Sequence, residues 1–507
     1  MTNTTIANSP VLEAVPRLRP DSAPPWRALP VLLVGAFLPV LDAFIVNVAL
    51  ATIGRTLHTG AAELELTVSA YGVAYACSLV AGGRLGDRLG RRAVFLAGMA
   101  AFTVTSVACG LAPSALLLIV FRVLQGFSAA LMFPQVLAVL QAGFTGRDRQ
   151  RAIGFLGAVV GAAGAVGQIV GGALLSADIA GSSWRPIFLV NVPVGLIALA
   201  VGRRMLPEFR TPNAPSIDLL GALGLAATIG LVLLPLTVGR ASGWPLWTWI
   251  SLGASVPVGL AFVTSQRRAE RVGRVPLLPL PLLELRPARL GLIAVLTFAT
   301  CVGGFLFSLA MILQEGHGYS PLKSGLTMVP CALAFFGVSL VTRRLIARLG
   351  VRLLTRGSVL FAAGLAVFGA VAAAQGGRLN AVAAAVALVV VGLGWAAVLV
   401  PLMGVVLAGL PADRAGLAGG VLSTALQIGL ASGASVLGSV VFGVVGTRAT
   451  AADWTHGTLA AVAVDGVLAL ATAVVTVRLR KAAAAGAAGL RGLRRLSEPA
   501  TARRQRV

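Results

Sequence analysis

The sequence predicts an all-α polytopic membrane protein: two six-helix bundles related by a pseudo-two-fold repeat, plus a two-helix insert between them. Three observations predict this fold class: an apolar composition, fourteen apolar runs and an internal repeat. Of the 507 residues, 57% are hydrophobic and 11% are charged, with a mean hydropathy of +0.91. Soluble domains contain about 25% charged residues. The chain therefore belongs in a lipid bilayer.

Fourteen segments are long and apolar enough to cross the hydrocarbon core, which takes about 20 residues of helix. In chain order they are residues 30–50, 66–83, 93–111, 115–140, 152–175, 187–202, 218–238, 247–265, 290–313, 321–341, 354–374, 380–408, 417–446 and 458–477.

An internal repeat relates the first six spans to the last six. Arg84–Arg92 matches Arg344–Arg352 at six of nine positions, and the segment Ala129–Pro134 has a counterpart at Ala396–Pro401. Such repeats build two-bundle folds and leave spans 7 and 8 as an insert. The predicted segments are a disordered cytoplasmic tail (1–28), the N-terminal bundle (29–204), the linker and insert (205–289), the C-terminal bundle (290–478) and a basic cytoplasmic tail (479–507).

The distribution of positive charge predicts the topology. With the N-terminus inside, 34 of the 41 arginines and lysines fall in cytoplasmic segments and six in external loops. This is the positive-inside bias, and it places both termini in the cytoplasm. The net charge of +24 therefore indicates topology and attraction to anionic lipids, and not a nucleic-acid partner.

A carboxylate, Asp42, lies midway along the first span. A charged group at that depth is costly unless it is paired, hydrated or protonated, so such residues face a cavity and tend to be functional. We expect Asp42 to bind and release a proton. The alternative is a carboxylate that is permanently bonded to neighbouring hydroxyl or amide groups.

Two further charges lie in predicted spans. Arg122, in span 4, cannot lose its charge, so it needs an anion or a carbonyl as partner. It either tunes a nearby proton-carrying carboxylate or ties helix backbones together. The equivalent position in the second half is Val389. Asp465, early in span 14 and near its outer end, is a weaker proton-binding candidate.

Span 5 carries glycines three or four residues apart, which predicts one helix face of small residues. Such a face lets two membrane helices approach closely, and it can also bend. Plain helix packing is the alternative. The residues predicted to form this packing face are five glycines and one glutamine: Gly161, Gly164, Gly167, Gln168, Gly171 and Gly172.

The segment Gly83–Arg92, G-R-L-G-D-R-L-G-R-R, is predicted to be a tight cytoplasmic turn between spans 2 and 3. Arginines alone suffice to keep a loop inside, but the turn also holds Asp87, which becomes Ala347 in the repeat. A contact of Asp87 with a helix N-terminus or an arginine, made in one conformation, would bias a two-state equilibrium. We expect a gating element formed by Gly83, Asp87, Arg88, Gly90, Arg91 and Arg92.

No motif predicts enzyme chemistry or a bound cofactor. The sequence contains two lysines, Lys323 and Lys481, and neither follows the G-x-x-x-x-G of a phosphate-binding loop. Neither metal-ligand spacing nor a nucleophile elbow is present. We expect no enzyme activity, no metal site and no cofactor.

These motifs together resemble the major facilitator superfamily, specifically its fourteen-span drug:proton antiporter branch. The Gly83–Arg92 segment matches the family's loop pattern, and L-D-A-F-I-V-N-V-A-L from Leu41 is similar to the span-1 motif of the branch. Arg122, Gln125 and Gly126 resemble its span-4 motif, and W-R-P-I-F-L-V-N-V-P-V-G from Trp184 its entrance to span 6.

Three positions depart from the family pattern. Gln168 stands where the span-5 antiporter motif has proline, which weakens the antiport inference from that element. Phe44 replaces a threonine of the span-1 motif, and Ala51 replaces its following proline. We expect the last two to affect substrate choice.

The resemblance implies a secondary exporter of amphipathic drugs or antibiotics, driven by proton exchange through alternating access and working as a monomer in the plasma membrane. Proton-coupled uptake and a non-transporting sensor are the alternatives. Aromatic and amide side chains near the midplane are expected to line the substrate cavity: Phe44, Asn47, Tyr71, Tyr75, Gln125, Trp395 and Gln427.

Overall fold

The computed structural model describes residues 25–208, 218–239, 242–272, 277, 286–375, 379–408, 415–446 and 450–497. Within these residues, all regular structure is helical. The physical reason is that lipid offers the backbone no hydrogen-bond partners, so each spanning segment must pair its own N–H and C=O groups.

The N-terminal half forms six membrane helices. Their bounds are Leu29–Leu57 (α1), Ala61–Leu89 (α2), Arg91–Gly110 (α3), Ala115–Gly143 (α4), Gly146–Ala177 (α5) and Pro186–Met205 (α6). Helix α6 is interrupted once, so that a short first part, Pro186–Leu189, precedes the longer Asn191–Met205.

The insert contributes two helices and the C-terminal half six. The insert consists of Leu219–Val238 (α7) and Leu246–Arg271 (α8). The C-terminal helices are Arg286–Met311 (α9, extended by a π-helical turn at Ile312–Gly316), Pro321–Leu349 (α10), Arg352–Ala374 (α11), Ala381–Ala408 (α12), Ala415–Val445 (α13) and Ala451–Ser497 (α14).

Thirteen of the described helices are long and apolar enough to cross a membrane. The fourteenth, α7, has a shorter apolar part, Leu220–Leu236, that lies at the lower limit of about 17 residues for a span. The prediction of an all-helical polytopic protein is therefore confirmed.

The two halves repeat one packing scheme. In the N-terminal half α1 packs on α5, α2 on α4, and α3 on α4 and α6; in the C-terminal half α9 packs on α13, α10 on α12, and α11 on α12 and α14. A close crossing recurs at equivalent places, because a Cβ on Gly126 would collide with the backbone of Tyr71, and one on Gly392 with the backbone of Cys331. The structure thus contains the repeat that the sequence indicated.

The bundles meet through α5 against α10 and through α2 and α4 against α13. The insert lies beside this junction, since α7 packs on α2, α8 and α13. Ile229 and Leu233 of α7 are buried against Ala76 of α2. The insert therefore covers one side of the line where the two bundles join.

The segment Gly83–Arg92 is more helical than expected. Instead of a loop, α2 continues to Leu89, and Gly90 alone separates it from α3. Gly90 has φ +98°, and the equivalent Gly350 between α10 and α11 has φ +55°. Arginine and leucine favour helix, so the chain turns only where glycine permits a positive φ.

The last helix is longer than the sequence predicted and includes part of the predicted C-terminal tail. Helix α14 continues to Ser497, well past the predicted end of span 14 at residue 477. Its extension contains the alanine-rich segment 482–488, and alanine is the strongest helix former. Residues 1–24 and 498–507 of the two tails lie outside the described residues.

Candidate functional site

Asp42 lies inside the N-terminal bundle with no exposed surface, and it forms an ion pair with Arg122 of α4, which is equally buried. The prediction placed Asp42 at a cavity. The structure instead encloses it between helices, since its second carboxylate oxygen, Oδ1, accepts hydrogen bonds from Gln125 Nε2 at 3.0 Å and Asn191 Nδ2 at 2.9 Å. Every polar contact that the structure gives the Asp42 carboxylate is therefore with a donor.

The Arg122 guanidinium has four further neighbours. Its Nε donates to the carbonyl oxygen of Thr67 at 3.1 Å, and Nη1 donates to Gln125 Oε1 at 2.7 Å as well as to Asp42. The guanidinium carbon lies 4.3 Å from the ring centroid of Tyr71 and 5.7 Å from that of Phe188, which places the cation against two aromatic rings. The remaining nitrogen, Nη2, is buried without a hydrogen-bond partner among the described residues.

A serine links the amides of this network. Ser106 Oγ accepts a hydrogen bond from Gln125 Nε2 at 2.8 Å and lies 3.4 Å from Asn191 Nδ2. The resulting group is called the Asp42 cluster, and it joins five helices, α1, α2, α3, α4 and α6. Its members are Asp42, Thr67, Ser106, Arg122, Gln125 and Asn191.

The chemistry of the Asp42 cluster centres on one titratable carboxyl group. Arginine stays charged under all physiological conditions, whereas a carboxylate can accept a proton. With Asp42 ionised, its charge and that of Arg122 cancel. Protonation of Asp42 would leave Arg122 as an unbalanced buried cation, which is strongly unfavourable. The charge balance of the cluster therefore depends on the Asp42 carboxylate facing Arg122.

Three members of the cluster were not predicted. Thr67 contributes only its backbone carbonyl, so no side-chain pattern marks it. Ser106 is an ordinary small polar residue within an apolar span. Asn191 lies in the segment from Trp184 that resembles the family's entrance to span 6, and this location was the one available signal.

The structure does not gather the seven predicted substrate residues around one cavity. Tyr71 and Tyr75 are buried and stacked on each other, with ring centroids 6.0 Å apart, and Tyr71 donates to the Pro39 carbonyl at 2.9 Å. Gln125 belongs to the Asp42 cluster. Their roles in substrate binding stay predictions.

The other four predicted substrate residues are distributed over three helices. Phe44 lies against Gly164 of α5, and Asn47 is half-buried and donates to the Ala43 carbonyl of its own helix at 3.4 Å. Trp395 of α12 packs edge-on against Phe335 of α10, and its indole N–H is buried without a partner among the described residues. Gln427 is half-buried on α13.

The glycines of α5 form two adjacent stripes, and not the single face that we predicted. One stripe contacts α1: a Cβ on Gly167 would lie 2.8 Å from the Leu41 carbonyl oxygen, and Gly164 and Gly171 contact the next residues along α1. The other stripe contacts α10. The ring of Phe335 packs directly on Gly161, Gly172 would place a Cβ 2.9 Å from the Leu322 Cα, and Gln168 lies against Gly325. Helix α5 is thus held between α1 and the opposite bundle.

The predicted gating residues form contacts inside the N-terminal bundle. Asp87, in the last turn of α2, pairs with Arg91 of α3 at 3.2 Å, and Arg91 also donates to the Ala138 carbonyl of α4 at 3.0 Å. Arg92 donates to the Arg203 carbonyl of α6. Arg88 is exposed, and Gly83 lies beside Pro134. Asp87 and its partners therefore link the junction of α2 and α3 to α4.

Asp465 lies in the interior of the C-terminal bundle and is 1% exposed. The expectation that it sits near the outer end of span 14 is therefore wrong, because α14 begins at Ala451, so that Asp465 is four turns into the helix. It belongs to the bundle opposite the Asp42 cluster.

Comparison with known proteins gives consistent results. The family model described as Major Facilitator Superfamily matches residues 32–434. The chain is 34% identical over 433 residues to a "Probable actinorhodin transporter" of Streptomyces coelicolor, covering 85% of this chain and 75% of that protein. It is 36% identical over 425 residues to the "Tetracenomycin C resistance and export protein" of Streptomyces glaucescens, covering 83% and 77%.

The fold also matches a solved structure, that of the human organic anion transporter MFSD10, with a TM-score of 0.62 and 16% identity over 90% of this chain and 100% of that chain. At this identity the similarity establishes the fold alone. The family match covers most of the chain and agrees with the repeated six-helix bundles. The chain belongs to the Major Facilitator Superfamily.

Proposed function

We propose that this protein exports small amphipathic molecules, antibiotics among them, in exchange for protons. Two similar proteins bear names that refer to the transport or export of an antibiotic, and both align over most of this chain. The enclosed ion pair of Asp42 and Arg122 is the observation that supports proton coupling.

The Asp42 cluster supplies two states with different helix contacts. When Asp42 is ionised, its carboxylate holds Arg122, Gln125 and Asn191, and so binds α1 to α4 and α6. When Asp42 takes up a proton, the ionic attraction to Arg122 is lost, and the buried cation favours water or another acceptor. A proton therefore weakens the attachment of α1 to its neighbours.

A displacement of α1 has a short route to the other bundle. Leu41 and Phe44, on either side of Asp42, contact one glycine stripe of α5, and the adjacent stripe of α5 contacts Phe335 and Leu322 of α10. With no side chains on these glycines to absorb the movement, α5 transmits it directly. We infer that this chain of contacts couples protonation to the relative position of the bundles.

The remaining features have supporting roles in the proposal. The Asp87–Arg91 pair sets the inner ends of α2 and α3, and its rupture would accompany opening on the cytoplasmic side. Trp395 and Phe335 present aromatic surface where α5 meets the C-terminal bundle, and they are the residues we assign to substrate contact. Both termini would be cytoplasmic, and anionic lipid would contact the arginine-rich side. The proton gradient, without a bound cofactor, would supply the energy to a monomer.

The experiment uses the full chain in liposomes containing a pH-sensitive dye. Three probes are compared: ethidium, actinorhodin and tetracenomycin C. Molecules whose cytoplasmic face is outward should move a probe into an acidic lumen and raise the luminal pH as protons leave. Reversing the gradient should abolish accumulation.

Two results would overturn the proposal. Probe flux that is identical for both directions of the pH gradient would remove proton coupling. Probe and proton moving in the same direction would indicate uptake by symport. Replacing the partly exposed Asp148 by Asn provides a control in which a carboxylate outside the cluster is removed.

A further inference from the structure

The C-terminal bundle contains a buried carboxyl group without a counter-charge, Asp465 of α14. Its Oδ1 atom has no hydrogen-bond partner among the described residues. The described salt bridges involve other residues. The arrangement therefore differs from that of Asp42, whose oxygens are fully engaged.

The carboxyl group borders a small cavity of about 10 Å³ between α9, α11 and α14. Apart from Asp465 and Ser308, the lining is apolar: Phe305, Leu309, Ile312, Leu365, Phe368, Ala461 and Val462. The Ser308 hydroxyl donates to the Phe305 carbonyl at 3.3 Å, which leaves its oxygen free to accept. The cavity has room for about one water molecule.

The Asp465 carboxyl group is closely packed against α9, and this packing fixes its position. A Cβ on Gly304 of α9 would lie 2.5 Å from Leu437 Cδ2 and 3.1 Å from Asp465 Oδ1, so glycine leaves space that the Leu437 side chain and the carboxyl group share. The thiol of Cys301, one turn earlier on α9, donates to the Asp465 carbonyl oxygen at 3.3 Å. The described residues that line the cavity include no basic side chain, and Asp465 is the titratable group among them. Cys301 lies outside this lining and is the neighbouring titratable group.

The surroundings of Asp465 determine which cation it can bind. An isolated ionised carboxylate in an apolar interior is very costly, and such a group takes up a proton instead. A metal cation needs a shell of several oxygen ligands. The side chains that line this cavity supply too few, since their oxygen atoms come from Asp465 and Ser308 alone. An organic cation is much larger than a cavity of about 10 Å³. A proton is the one cation that fits.

We propose that Asp465 is a second proton-binding site, which holds its proton beside a single water in this conformation and releases it to water when α9 and α14 separate. The site lies in the bundle opposite the Asp42 cluster, so each bundle would contain one exchangeable proton. The link to transport rests on the proposed function, but the protonation itself does not.

The test is infrared spectroscopy of the full chain in lipid nanodiscs across a pH series. A protonated carboxylic acid has a carbonyl-stretch band separate from that of carboxylate and sensitive to exchange into D₂O. The wild type should retain such a band at neutral pH. Asp465→Asn should lose it, whereas Asp453→Asn, which removes a carboxylate bonded to Thr450 near the start of the same helix, should keep it.

A second variant covers the case in which Asp465→Asn does not fold. Gly304→Ala adds a methyl group beside Oδ1 and should shift the frequency of the band without removing it. An unchanged band in either Asp465→Asn or Gly304→Ala would overturn the proposal. Loss of the wild-type band on replacing choline by Na⁺ at constant pH would indicate a metal-cation site and would overturn it too.

Discussion

Asp42 and Arg122 are 80 residues apart in sequence and form an ion pair with no solvent-exposed surface on either side chain. Their contact joins α1 to α4 within a single bundle. Because the pair is enclosed, its stability depends on both charges being present. Asp42 is also the one acidic side chain among the described members of the Asp42 cluster. A proton on Asp42 would therefore change the net charge of the cluster.

Single and double substitutions of this pair should have unequal effects on folding stability. Asp42→Asn or Arg122→Gln alone leaves one buried group without its partner and should cost about 3–5 kcal/mol. The double variant removes both charges and should recover most of this loss. Thermal unfolding in a fixed detergent provides the measurement. Additive losses in the double variant would show that the two charges do not stabilise each other.

Arg122→Lys should reduce export although it keeps the positive charge. A lysine ammonium cannot serve Asp42, Gln125 and the Thr67 carbonyl with the geometry of a guanidinium. A hydrogen bond to a charged group contributes about 1.5–3 kcal/mol, so a loss of about tenfold or more in the transport rate is expected. Initial rates of pH-driven ethidium transport check this.

The matched control for that variant is Arg151→Lys. Arg151 is 62% exposed and lies 3.8 Å from Asp148, so its replacement should leave transport unchanged. Equal rates for Arg122→Lys and wild type would argue against a specific guanidinium role.

Gly167→Ala should destabilise the junction between α1 and α5. The added Cβ would lie 2.8 Å from the Leu41 carbonyl oxygen, next to Asp42, so one helix must move. Overpacking of this kind costs about 1–3 kcal/mol. Gly154 lies on the same helix with no atom near its Cβ position, and Gly154→Ala should be neutral or slightly stabilising. If both variants unfold at the same temperature, the close approach of α1 and α5 is not important for stability.

Asp87→Asn separates a gating role from a static one. The Asp87–Arg91 pair is partly exposed, with 26% and 12% of the two side chains accessible, so its loss should cost less than about 1 kcal/mol of stability. A contact that is broken and remade in each cycle should nevertheless affect the transport rate severalfold. Unchanged transport together with unchanged stability would assign the pair to topology alone.

The features with strong periodic signals were predicted from sequence. Long apolar runs and the repeat of Arg84–Arg92 at Arg344–Arg352 reflect constraints that act on whole segments, and the helices and their packing follow them. A proton-carrying Asp42 and a nearby Arg122 were expected for a related reason, since two buried charges each need a partner. The structure brings them together, while their roles in transport stay predictions.

The features that sequence missed depend on local geometry. Thr67 acts through a backbone carbonyl, and Asn191 and Ser106 acquire significance only from the crossing of α6 and α3 beside α4. Whether Gly83–Arg92 is a loop or a helix end depends on competition between good helix formers and a single glycine, Gly90. The two-stripe arrangement of α5 needs both neighbouring helices to be placed before it can be recognised.

We propose that protonation of Asp42 drives export, and ethidium transport by Asp42→Asn in liposomes is the decisive measurement. Ethidium is followed under an acidic-lumen gradient and, separately, under its own concentration gradient without a pH difference. We expect the variant to move ethidium down its own gradient still, at a rate that does not change with pH, but no longer to accumulate it. Accumulation by Asp42→Asn equal to that by the wild type, with the same pH dependence, would show that protonation of Asp42 does not drive export.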